Sequence, residues 1–135
     1  MRLSAILAAA IAVLAFAFGM LPLTTSAQTK GVDAPVRALI EAMAAGDAAS
    51  IRAQFSPNAT QAYGADGRMK TPAATARWLE SDIIARNGKV TDPEFSVNGN
   101  EVVVRGQYSS RGYSSKADFL FTVENGLITS WRMRY

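Results

Sequence analysis

The chain has 135 residues, 49% of them apolar, a formal net charge of +3, and neither cysteine nor histidine. That length fits one domain, and the two missing residue types exclude disulfides, thiol nucleophiles, thiolate metal sites and histidine-based triads. The weak, scattered positive charge implies no nucleic-acid partner, and no two carboxylates stand at a spacing that suggests a metal chelate.

In chain order, Met1-Arg2 carries one positive charge and Leu3 to Leu23 carries none. Gly19 and Pro22 break the apolar run, and Thr25-Ser26-Ala27 places small residues where a signal peptidase cuts. This is the layout of a bacterial secretory signal covering residues 1–27, cleaved after Ala27, which predicts a periplasmic or secreted product with no membrane contact afterwards. The competing reading is an uncleaved anchor, since about 20 apolar residues span a bilayer. No cysteine follows the run, so a lipid-modified lipoprotein is excluded.

Residues 28–32 read as a flexible leader before a domain over 33–135. Asp33 and Pro35 open a helix whose Val36, Leu39, Ile40 and Met43 form one apolar face. Gly46 ends it, Asp47 caps a short second helix carrying Ile51 and Phe55, and Ser56-Pro57 predicts its end. Tyr63, the Gly64-Ala65-Asp66-Gly67 turn and Arg68-Met69-Lys70 predict a small hairpin. Thr71-Pro72 restarts a helix with Trp78, Leu79, Ile83 and Ile84 on its stripe, stopped by Asn87-Gly88. Strands follow over Val90 to Val97, Glu101 to Ser109, Lys116 to Val123 and Leu127 to Tyr135, with Asn98-Gly99-Asn100 and Glu124-Asn125-Gly126 as turns. Helices first and an antiparallel meander last predict an α+β domain.

The run Ile40 to Asp47 followed by Ile51 and Phe55, then Asn58-Ala59-Thr60, Thr71-Pro72, Asp118 to Phe121 and Glu124 to Ile128 together resemble the nuclear transport factor 2 (NTF2-like) superfamily, SnoaL-like proteins included. The resemblance spans nearly all of 33–135. It implies a cystatin-like cone, three helices packed on a curved, mainly antiparallel sheet around a conical pocket. It also implies sheet-mediated dimers, common in that fold. Function is not implied, because sites are grafted on folds.

The family's ketosteroid isomerase uses an aspartate base facing a tyrosine and a protonated aspartate. Counted from the shared Ala-Gly-Asp corner, the tyrosine's place falls on Leu39, which donates no hydrogen bond, and the base's place on Tyr63, whose ordinary pKa near 10 makes a poor base. Counted from the last turn, the protonated aspartate's place falls on Asp118. Steroid isomerisation by that route is therefore not expected.

The resemblance also places Tyr63, Trp78, Val104 and Trp131 along the pocket, with Leu39 and Asp118. Aromatics at such spacing equally suit plain core. Asp118 alternates with Ala117 and Phe119 and so projects away from the phenylalanines, as a desolvated pocket acid or as the partner of an arginine or tyrosine. Tyr108 and Tyr113 are candidates for the mouth of the cone.

Three readings follow. The first is an exported module that binds a small apolar or amphipathic ligand without cofactor or catalysis. The second is a SnoaL-like isomerase, cyclase or hydrolase using Asp118 with Tyr63. The third is a filled-cone interaction module, a homodimer or envelope partner contacting through Arg105, Arg132, Arg134 and Tyr135.

Overall fold

The computed structural model describes residues 31–135. The expected export signal over 1–27 and residues 28–30 of the expected leader lie outside the described residues. Among the described residues, no helix is long and apolar enough to cross a membrane.

Helix α1 (Ala34–Ala45) buries Val36, Leu39, Ile40 and Met43 on the face its period predicts. Pro35 occupies its first turn, and it ends at Gly46, whose φ of 68° is a left-handed conformation that glycine adopts without a Cβ penalty. Asp33 makes no side-chain cap; its carboxylate pairs with Arg37 instead. Helix α2 (Ala48–Ala53) is capped by Asp47, which accepts a hydrogen bond from the Ser50 amide.

Here the structure corrects two expectations. Helix α2 stops before Ser56-Pro57, and strand β1 (Phe55–Tyr63) already starts at Phe55. The expected hairpin after Ala59 does not form. Strand β1 pairs in parallel with the last strand of the chain, with Gln61 opposite Trp131 and Tyr63 opposite Met133. A partner some seventy positions away leaves no trace in local periodicity. The segment that follows is a turn and an extended stretch, tied back by the Lys70 amide to the Gln61 carbonyl at 2.8 Å.

Helix α3 (Pro72–Trp78) starts from Thr71, whose hydroxyl accepts from the Ala74 amide, and widens into a π-helical stretch over Leu79–Ile84. The strands β2 (Lys89–Asn98), β3 (Glu101–Ser110), β4 (Tyr113–Glu124) and β5 (Leu127–Met133) form the expected antiparallel meander. The sheet order is β1-β5-β4-β3-β2. A bulge between Thr91 and Glu94 breaks the β2 register. It requires a glycine opposite: a Cβ on Gly106 would stand 2.7 Å from the Thr91 carbonyl oxygen.

The helices cover one face of this sheet. Val102, Val104 and Tyr108 from β3, Phe119 and Phe121 from β4, and Trp131 from β5 pack against Leu39, Met43, Trp78 and Ile83. The intervening residues Val103, Arg105, Asp118 and Leu120 occupy the opposite face, as the period-two pleat demands.

Candidate functional site

The narrow part of the cone is filled with rings. Trp131 is fully buried, its ring centroid 4.9 Å from Phe121, 5.1 Å from Trp78, 5.4 Å from Phe119 and 6.1 Å from Phe55. Leu39 and Val104 are fully buried too. These three sequence-predicted pocket residues are core, because aromatic and aliphatic volume closes the space a ligand needs.

Space remains beside the cluster. A cavity of about 310 Å³ lies between the end of the third helical segment and the β3–β4 turn. Tyr63, Tyr108, Tyr113 and Phe119 supply aromatic wall, and Asp82 and Arg86 supply charge. Tyr108 is only 5% exposed and packs edge-on against Phe119 at 5.7 Å. Gly88 makes room for its ring, since a Cβ there would sit 2.4 Å from the Tyr108 hydroxyl. The Tyr63 hydroxyl accepts a 2.6 Å hydrogen bond from the Trp78 indole and makes a long 3.5 Å contact to Asp82. The Lys70 ammonium rests 4.4 Å from the Tyr63 ring centroid. Arg86 ties the helix end to the β3–β4 turn, its guanidinium donating to the Arg111 carbonyl at 2.7 Å.

Of the predicted site residues, then, the structure brings Tyr63 to this cavity, with Trp78 behind it as a hydrogen-bond donor. Tyr108 and Tyr113 stand at the mouth. Asp118 does not join them. It lies on the uncovered face of β4, 2.7 Å from Arg134 and 3.6 Å from Arg105, so it serves as the partner of two guanidiniums. The pleat that turns Phe119 inward turns Asp118 outward, and an Asp118–Tyr63 acid–base pair is not formed. Among the expected dimer contacts, Arg132 is engaged within the chain, donating to the carbonyls of Gly64 at 2.9 Å and Gly67 at 3.0 Å.

Sequence reasoning missed Asp82 and Arg86. Asp82 lies in the π-helical stretch and Arg86 in the turn just after it, before Asn87-Gly88, and no local signal marked either as facing a cavity.

Burial raises the pKa of both cavity phenols. For Tyr108 desolvation leads, reinforced by Tyr63 and Asp82 and opposed by Ser110 and Arg86. For Tyr63 desolvation again leads, opposed by the Trp78 hydrogen bond and reinforced by Asp82. Both hydroxyls therefore remain protonated donors at neutral pH. A folded-state pKa above the ordinary 10.0 stabilises the fold fully below that pH, and the contribution is lost as pH rises through the higher folded value. Tyr108 carries most of the effect, because Tyr63 is 51% exposed and screened by solvent. In a tyrosinate absorbance titration, part of the signal from the four tyrosines should appear later in the native protein than in urea, and Tyr108→Phe should remove most of that delay. Superimposable native and unfolded curves would contradict the burial.

Residues 36–131 match the SnoaL-like domain family. No curated protein matches the sequence. Among solved structures, an NTF2-like protein of unknown function from Cytophaga hutchinsonii aligns at 20% identity and TM-score 0.65, over 78% of this chain and 91% of the other. A candidate polyketide cyclase from Sinorhizobium meliloti aligns at 23% identity and TM-score 0.58, over 73% and 92%. RV0760c from Mycobacterium tuberculosis, solved in complex with estradiol-17beta-hemisuccinate, aligns at 20% identity and TM-score 0.61, over 75% and 90%. At these identities the likeness is one of fold. The family match over most of the described domain, and the helices packed on a curved five-stranded sheet, show that the chain belongs to the SnoaL-like domain family and has the NTF2-like, cystatin-type fold.

Proposed function

We propose that this chain is an exported binding domain that holds a small amphipathic molecule at the mouth of its cone, without the ketosteroid isomerase catalytic set. One observation carries the reading: a cavity of about 310 Å³ with aromatic walls and its polar groups, Asp82, Arg86 and the phenol hydroxyls, available to orient one end of a ligand. Its volume lies at the lower end of the range of about 300–1,000 Å³ found for small-molecule sites. The steroid conjugate bound by the mycobacterial neighbour supports the same use of the fold. Export rests on the charge-free apolar run and small-residue cleavage site before Gln28.

The site supports binding better than turnover. Tyr63 is a protonated donor rather than a base, and Asp118 faces away. Native mass spectrometry of protein taken from the periplasm tests this. The expected spectrum shows a small-molecule adduct that disappears on denaturation, weakens in Tyr108→Ala and persists in Asp118→Ala. Loss of the adduct in Asp118→Ala alone would transfer the site to the other sheet face.

The filled narrow end of the cone favours a second reading, an interaction module pairing through the uncovered sheet face, where Arg105 is largely exposed. A bare chain that runs as a clean dimer would favour that reading over the first.

A further inference from the structure

All four tyrosines of the chain, Tyr63, Tyr108, Tyr113 and Tyr135, line the mouth cavity. Tyr108 is buried there. Tyr63, Tyr113 and Tyr135 are 51%, 54% and 71% exposed, and they make up three of the four large apolar residues left open to solvent among the described residues. Such rings add little to the core and leave aromatic surface free at the cavity. The Lys70 ammonium, 4.4 Å from the Tyr63 ring centroid although Lys70 does not line the cavity, shows this ring already accepting one cation.

Asp82 supplies the matching charge. It is the one acidic side chain of the lining, it is exposed, and among the described residues it forms no ion pair. Its carboxylate accepts from the neighbouring Ser81 hydroxyl at 2.8 Å and, at 3.5 Å, from Tyr63. The i, i+4 spacing to Arg86 would suit an ion pair, as it does for Asp33 and Arg37 in α1, yet this pair does not form. Arg86 instead spends a donor on the Arg111 carbonyl of the turn, and among the described residues it stacks on none of the four rings. Desolvation leads the shift at both cavity phenols, but of the charged side chains Asp82 acts on Tyr63 and Tyr108 alike, whereas Arg86 acts on Tyr108 alone and less than Asp82 does. The carboxylate therefore dominates the field inside the cavity. We propose, on the reading of this cavity as a binding site, that its ligand is an organic cation, a protonated amine or quaternary ammonium on an apolar body, whose charge lies against Asp82 and the tyrosine rings.

Three probes of similar size separate charge from shape: 2-phenylethylamine, 2-phenylethanol and phenylacetate, titrated at neutral pH into the purified protein and followed through the Gly112 and Ser115 amide signals in ¹H–¹⁵N NMR. The amine should bind on the order of tenfold more tightly than the alcohol, the joint worth of one exposed ion pair and one cation–π contact, and phenylacetate more weakly than either. Asp82→Asn should bring the amine to the level of the alcohol, while Asp118→Asn, on the opposite sheet face, should leave the order intact. A preference for phenylacetate would hand the site to Arg86 and overturn the proposal, as would an amine preference that survives Asp82→Asn. Equal affinities for the three probes would overturn it too while leaving an amphipathic binding site in place. No response to any probe would remove the site itself, and with it the reading on which the proposal rests.

Discussion

Trp131→Ala should lose about 3–5 kcal/mol of folding stability, the usual cost of emptying a large aromatic from a packed core. Domains of this size have only about 5–15 kcal/mol in total, so the variant should be marginal at room temperature. Trp131 has no exposed surface and contacts rings from β1, α3 and β4, so its removal leaves a void that no single neighbour can fill. Trp131→Phe should lose much less. It keeps aromatic volume and removes the indole N–H that lacks a partner among the described residues. Urea unfolding of the two variants decides the matter: a Trp131→Ala midpoint close to the parent's would show that the aromatic cluster is not the centre of the core. A Trp131→Phe loss as large as that of alanine would show that the indole N–H has a partner after all.

Gly67→Ala should damage the mouth without touching a ligand directly. A Cβ at Gly67 would lie 1.8 Å from the Tyr63 carbonyl oxygen, so the turn has to open. That turn cannot yield freely, because Arg132 clamps the carbonyls of Gly64 and Gly67 and the Gly64 amide donates to Met133 at 2.7 Å. Overpacking of this kind costs about 1–3 kcal/mol. The displacement falls on Tyr63, and retention of the bound molecule should fall with it. Gly64→Ala is the contrast: its φ of 83° is unfavourable for alanine, but nothing stands within 4 Å of the added methyl. It should lower stability while leaving the adduct in place. If Gly67→Ala retained the adduct fully, the link between this turn and the site would fail.

Much of the domain was legible from local chemistry. The i, i+3, i+4, i+7 stripe of Val36, Leu39, Ile40 and Met43, the Gly46 and Asp47 punctuation, the Thr71 cap and the Asn125-Gly126 turn each act over a few residues, and each stands where it was expected. The absence of cysteine and histidine narrowed the chemistry before any fold was known. What only the tertiary structure decided depends on residues far apart in the chain. The parallel pairing of β1 with β5 erased the expected hairpin, because the better partner was non-local. The pleat already set Asp118 against Phe119, but a sequence cannot say which face of a sheet the helices will cover. Counting from the family pattern placed Asp118 in the pocket, and packing placed it outside with Arg134. Asp82 and Arg86 became site residues only when the third helix was laid across the β3–β4 turn, since a surface helix presents many charges and the sequence marks none of them as facing a cavity.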